Sequence, residues 1–169
     1  MQDLVRPVDY GCDLVELKNI VKDLLENPIV NKMAGFSIQH RANVEDPWKL
    51  IDGLESLKFY NEKESDFSKI NKIFIGTGFE KIIKDFNLFR CRVMVMKNKT
   101  CYTLHHDNTK RLHIPIVTKK NKGFFFFPRT GYHYFLNEGC TYLVDTTETH
   151  TFVNTADHLR VHLVGCINE

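Results

Sequence analysis

Arg111-Leu112-His113-Ile114-Pro115-Ile116-Val117 and Leu159-Arg160-Val161-His162-Leu163 are the two stretches on which the fold turns. Successive side chains of a strand point to opposite faces. Leu112, Ile114 and Ile116 therefore share one face, and Arg111 and His113 share the other. The second stretch repeats the pattern, with Arg160 and His162 together. A polar face of this kind either meets solvent or lines a wet pocket inside a barrel.

Outward from these segments, the second half of the chain reads as a series of short strands. They run over Arg90–Lys97, Cys101–His105, Arg111–Val117, Gly123–Pro128, His133–Leu136, Thr141–Asp145, His150–Asn154 and Leu159–Cys166. Turn chemistry separates many of them, as at Lys97-Asn98-Lys99, Arg129-Thr130-Gly131 and Asn137-Glu138-Gly139. Short strands at such spacing favour a barrel or jelly roll over a parallel α/β sheet. The Phe124–Phe127 run reads as a buried strand.

The first half is mixed. Leu14, Leu17, Ile20, Val21, Leu24 and Leu25 recur at helical spacing, and Asn27-Pro28 ends the pattern. A short strand is expected over Phe36–His40, a turn or helix from Asp46-Pro47 through Leu57, a polar loop over Tyr60–Ser65 and a helix over Phe79–Phe86. The expected class is mostly β with flanking α. The 169 residues form one domain, with about 1–88 as helical and mixed support on the substrate side and about 89–169 as a jelly-roll core.

Composition narrows the partners. The net charge is only +2 and lysines are scattered, so nucleic acid is not expected. No apolar run approaches the length of a bilayer span, and residues 1–16 lack a signal-peptide core, so no membrane partner is expected. The five cysteines are odd in number and lack C-x-x-C spacing. Reduced thiols and a cytoplasmic location follow as expectations.

The chemistry lies in His105-His106-Asp107 and in His150. His105 and Asp107 are two apart, so on extended backbone both point one way and His106 points the other. Taken singly, each has a plainer reading. Asp107-Asn108 is ordinary turn chemistry, His150 suits a hydrogen-bonded core histidine, and Arg160 suits a solvated strand. Taken together, two imidazoles and one carboxylate can hold one face of an octahedral metal and leave three positions open, the pattern of non-haem Fe(II) oxygenases. Gln39 and Arg41, two apart on the possible early strand, are candidates for the substrate mouth.

In order, His105-x-Asp107, Arg111-x-His113-Ile114-Pro115, Glu138-Gly139, His150-x-x-x-Asn154 and Arg160-x-His162-Leu163-Val164 resemble the aspartyl/asparaginyl β-hydroxylase-like family of Fe(II)/2-oxoglutarate-dependent dioxygenases. The resemblance covers about the last 70 residues. It implies a double-stranded β-helix, a cupin-like jelly roll with N-terminal helices. It implies Fe(II) held by His105, Asp107 and His150, with 2-oxoglutarate and O2 as co-substrates. Arg160 would then pair with the distal carboxylate of 2-oxoglutarate, and Arg111 and His113 would be further co-substrate contacts. The implied reaction hydroxylates a free amino acid or a residue of a peptide or protein, with 2-oxoglutarate decarboxylated to succinate. Asp107 stands where the vertebrate members have Gly, which places the chain nearer the proline-hydroxylase-like branch. Met94 falls near the family's hydroxyl-bearing co-substrate contact, leaving Tyr102 or Thr103 as substitute donors. The competing class is a non-oxidative cupin-like protein that binds a metal or a small acid. It has no need of a buried Arg ten positions beyond the distal His.

Overall fold

The computed structural model describes residues 3–28, 30, 34–42 and 63–167. Two antiparallel sheets face each other, and two helices cover the outer side of the larger one. The larger sheet holds Val5–Val8 (β1), Gly35–Ser37 (β2), Phe89–Met96 (β5), Arg111–Val117 (β7), Thr141–Val144 (β10) and Arg160–Cys166 (β12), in the order β1-β10-β7-β12-β5-β2. The smaller holds Thr100–Cys101 (β6), Gly123–Phe127 (β8), Tyr132–Phe135 (β9) and Thr151–Asn154 (β11), in the order β6-β11-β8-β9. Gln39–His40 (β3) and Lys69–Ile70 (β4) form a separate pair. This is the expected double-stranded β-helix.

The helices form where the sequence placed them. Leu14–Glu26 (α1) starts at Asp13, whose side chain accepts from the Glu16 amide at 3.0 Å. It stops at Asn27, because the residue before a proline disfavours helical backbone. Gly78–Asp85 (α2) buries Phe79, Ile82 and Ile83. The Glu16 carboxylate accepts from the Gly78 amide at 3.1 Å, a negative charge at the start of α2.

The alternation in β7 and β12 divides the interior into two parts. Leu112, Ile114, Ile116, Val161 and Leu163 join Leu17, Phe36, Phe74 and α2 in one core on the helix side. Phe125, Phe127, Phe152, Val144 and Met96 form a second core between the sheets. Every residue of β12 is buried, so Arg160 and His162 face neither solvent nor the helices but the space between the sheets.

Two strands of the larger sheet come from the first half of the chain. β2 starts one residue before the expected Phe36–His40 segment, which breaks at Ile38 and resumes as β3. β1 has no counterpart in the sequence expectation. It pairs with β10, with Val5 opposite Val144. The expected element from Asp46-Pro47 to Leu57, and the start of the Tyr60–Ser65 loop, lie outside the described residues. Glu64–Asp66 is a single 3-10 turn.

Ile114 is fully enclosed in the helix-side core. Ile114→Ala should cost about 2–5 kcal/mol by lost transfer energy and cavity formation. Urea denaturation should show a lower midpoint with an unchanged slope.

Candidate metal centre

His105 and His150 meet because their backbones pair as an isolated antiparallel bridge. The His105 amide donates to the His150 carbonyl at 3.0 Å, and the His150 amide donates back at 2.8 Å. Two residues on, the Asp107 amide donates to the Thr146 carbonyl at 2.8 Å. The backbone thus carries both arms of the His-x-Asp segment past the His150 turn. Ligand atoms of His105, Asp107 and His150 all lie within 4.8 Å of one another. His106, between them, is exposed.

Both rings are oriented by backbone. His105 Nδ1 lies 2.8 Å from the Thr103 carbonyl, and His150 Nδ1 lies 2.8 Å from the Glu148 carbonyl. A carbonyl only accepts, so each Nδ1 carries the proton and each Nε2 keeps its lone pair for a ligand role. Burial lowers the pKa of His150, which keeps it in the neutral form a metal requires. Asp107 is held from behind, with Arg111 Nη2 at 2.8 Å from its Oδ1. Two imidazoles oriented by backbone carbonyls and a fixed carboxylate fit a divalent cation such as Fe(II).

Arg111 bridges to a second acid. Its Nη2 also donates to Glu64 Oε1 at 3.0 Å, and Arg90 binds the same oxygen. Thr109 donates to Glu64 Oε2 at 2.9 Å. Burial pushes the Glu64 carboxyl up, but Arg111, Arg90 and the Thr109 hydroxyl together outweigh it and hold the pKa below 4.5. Arg90 reaches Glu64 from a left-handed backbone (φ +50°), opposite a register shift between Val164 and Cys166.

Deeper between the sheets, Arg160 is 2% exposed and its guanidinium lies 4.1 Å from the centroid of Phe152. One nitrogen, Nη2, donates to His162 Nδ1 at 2.7 Å. Nε and Nη1 are buried without a hydrogen-bond partner among the described residues. Burial lowers the Arg160 pKa to about 10, partly offset by the neighbouring Tyr102 hydroxyl. It remains charged at neutral pH. With Nδ1 accepting, the neutral His162 ring carries its proton on Nε2, which is also buried without a partner. Both nitrogens of His113 are in the same condition. Burial, then Arg160, keep the pKa of His113 and His162 well below 6.5. This set of unengaged donors around one guanidinium fits an anionic group.

The structure therefore gathers His105, Asp107, His150, Arg111, His113 and Arg160 around one inner face. Gln39 is differently placed. It is 2% exposed, its carboxamide nitrogen donates to the Leu88 carbonyl at 2.9 Å, and its oxygen accepts from the Cys91 amide at 2.9 Å. Its polar atoms are spent on holding β3 against β5. Arg41 lies over the Phe67 ring at 5.8 Å, and Arg90 lies near the same ring at 5.9 Å. Sequence reading missed Glu64 and Arg92. Arg92 carried a usable signal, because Arg90-Cys91-Arg92-Val93 alternates as β7 and β12 do. Glu64 carried none.

The architecture is a double-stranded β-helix. The chain is similar to a viral collagen prolyl hydroxylase from Paramecium bursaria Chlorella virus-1, solved as its 2-oxoglutarate complex, at 12% identity and TM-score 0.55, covering 97% of this chain and 95% of that one. It is similar to a prolyl-4-hydroxylase from Pseudomonas putida at 11% identity and TM-score 0.51, covering 98% and 92%. AviO1 from Streptomyces viridochromogenes matches at 8% identity and TM-score 0.52, covering 97% and 89%. At these identities the likeness is one of fold. No family model matches the chain, and no curated protein matches it.

Glu64→Gln should cost about 3–5 kcal/mol at pH 7, because two buried guanidiniums lose their shared carboxylate. The sign with pH follows from the lowered pKa. The stabilisation by Glu64 is full above pH 4.5 and is lost as pH falls through the folded-state value. Denaturation curves for wild type and variant should converge as pH drops below that range.

Proposed function

We propose that this protein is an Fe(II)- and 2-oxoglutarate-dependent dioxygenase that hydroxylates a free amino acid or an amino-acid residue of a peptide or protein. One observation carries the reading. A triad of two imidazoles and a carboxylate stands at one end of an enclosed inner face, and Arg160 stands further in with two unengaged donors. A metal site alone explains the triad. It does not explain a fully buried guanidinium with no acid among the described residues to meet it.

His105, Asp107 and His150 would hold Fe(II), which when bound supplies the activation of O2 coupled to oxidative decarboxylation of the 2-oxo acid to succinate. The chain's own residues do the rest. The two backbone carbonyls fix the imidazoles, and Arg111 fixes the Asp107 carboxylate. Arg160 receives the distal carboxylate of 2-oxoglutarate through its planar fork, set over the Phe152 ring. His162 Nε2–H, His113 and the Tyr102 hydroxyl are placed to add hydrogen bonds. Tyr102 fills the role that Met94 cannot. Phe125, Phe127 and Phe152 exclude water from the inner face.

Asp107 as third ligand supports a place near the proline-hydroxylase-like branch of the aspartyl/asparaginyl β-hydroxylase-like enzymes. All five cysteines are free, in keeping with the proposed cytoplasmic location.

Purified protein with Fe(II) and ascorbate should convert 2-oxoglutarate to succinate, slowly even without primary substrate. His150→Ala should abolish this turnover. Arg160→Met, which keeps the stem over Phe152, should raise the half-saturating 2-oxoglutarate concentration about 100-fold while Fe(II) binding is retained. A folded, metal-loaded protein without turnover would point instead to a non-oxidative, cupin-like binding protein.

A further inference from the structure

Along the chain the lysines are scattered, but the fold brings five of them to one end of the smaller sheet. Gly123 is in register with Asn154, and Asn154 with Thr100, so the turns beside these three residues lie together. Hydrogen bonds stitch them. The Lys99 amide donates to the Ala156 carbonyl at 3.1 Å, the Thr155 amide to the Lys122 carbonyl at 2.8 Å, and Asn154 Nδ2 to the Lys97 carbonyl at 2.9 Å. Lys97, Lys99, Lys119, Lys120 and Lys122 are all exposed there. The nearby acids are engaged. Asp157 lies 3.8 Å from Lys119, and Glu138 is held by Lys18 and the Thr118 amide. Lys97, Lys99, Lys120 and Lys122 have no carboxylate partner among the described residues. A chain with a net charge of only +2 thus concentrates positive charge at one end.

This basic rim borders an aromatic face. Phe125, Phe127 and Phe152 turn into the core between the sheets, so Phe124, Phe126 and Val153 turn outward. Phe124 is in register with Phe135, and Phe126 with His133. The four rings are contiguous. Phe124 has its centroid 5.2 Å from both Phe135 and His133, and Phe126 stacks on His133 at 4.9 Å, 26° from parallel. Phe135 is 45% exposed, and Phe124 is two residues from Lys122. The helices pack on the larger sheet, away from this face.

Flat rings beside unpaired ammonium groups suit a ligand that carries both phosphates and unstacked bases. Exposed Asn98 and Asn121, on the same turns, add hydrogen-bonding groups for the backbone of such a ligand. Phe124 and Phe126 are only partly exposed, which leaves ring surface for stacking but little depth for entering a bilayer. A second copy docked on the same face would bring more lysines and no anion. We propose that this outer face and its lysine turns bind single-stranded nucleic acid, with phosphates on the lysines and bases on the four rings. The expectation against nucleic acid rests on the scatter of lysines along the chain, which the fold undoes. The surface is separate from the metal centre. His150 is four residues from Asn154, about 13 Å at a rise of about 3.3 Å per residue, and its ring lies by the inward-facing Phe125. The bound strand is therefore a partner and not the group oxidised, and the inference stands independently of the oxygenase reading.

Fluorescence anisotropy of the full chain with labelled oligo-dT and oligo-U of about 12 nucleotides tests this. Both should bind, and a duplex of the same length should bind at least about 5-fold more weakly because its base faces are hidden. Raising salt from about 50 to about 200 mM should weaken binding roughly 20-fold if three lysines meet phosphates. Lys122→Glu should weaken binding at least about 5-fold, where Lys22→Glu, an equal charge change on α1, should not. Phe135→Ala should also weaken it at least about 5-fold, and Phe135→Trp should restore it. No binding at the lower salt, a duplex that binds as well as the single strand, equal effects of Lys122→Glu and Lys22→Glu, or undiminished binding by Phe135→Ala would each overturn the proposal. Tighter binding to phosphatidylserine vesicles than to either oligonucleotide would make the face a membrane surface instead. Dimerisation in sedimentation that Phe135→Ala abolishes would make it a subunit interface, and would equally end the proposal.

Discussion

Enclosing the Arg160 guanidinium between two sheets is the costly constraint around which the inner face is built. Its polar neighbours among the described residues include His162, Tyr102 and His113, none of them a carboxylate. Removing such a charge from water costs several kcal/mol when no counter-charge is met. The opposite face of the same strands offsets that cost. Val161 and Leu163 of β12, and Leu112, Ile114 and Ile116 of β7, pack against the helix layer in a closed apolar core. Stability is generated on one side of the larger sheet and spent on the other.

The metal end is held differently. Asp107 is tied through Arg111 to Glu64, and Glu64 also holds Arg90. This chain of charges joins the 3-10 turn at Glu64–Asp66 to β5, to β7 and to the triad. It makes the first half of the chain more than a cover. A carboxylate far upstream orients the arginine that orients the acidic ligand. Breaking one member leaves buried partners unpaired, so the members act as a unit. Position of the triad and stability of the fold are coupled through Glu64.

Much of this was legible in the chain because strands impose a period of two. The segments around Arg111, Gly123, Thr141 and Arg160 start within a residue of where they were expected, and the choice between a solvated and an enclosed polar face was the only ambiguity in β7 and β12. The His105–Asp107 spacing works for the reason anticipated, although only a single bridge, and not a full strand, holds it extended. The failures share a physical cause. β1 has Arg6 and Pro7 exposed at its centre and is a strand only because β10 offers it an edge. Gln39 looks like a free polar residue until the Leu88 carbonyl and Cys91 amide claim its carboxamide. Glu64 acquires meaning only when Arg90 and Arg111 are brought to it from other strands. Tertiary partners decide all three, and no local pattern announces them.

The histidines complete the electrostatic design. His113 and His162 lie between the arginine ends of the inner face, their rings 6.0 Å apart and edge-on to Phe125 and Phe152 at 5.0 and 5.1 Å. Were they to ionise readily, the inner face would gain charge as pH fell. Burial and the nearby guanidiniums keep both rings neutral instead. They offer directional hydrogen bonds without adding charge. The fixed charge of the inner face is then carried by the arginines. Groups that supply charge are thereby kept separate from groups that supply direction.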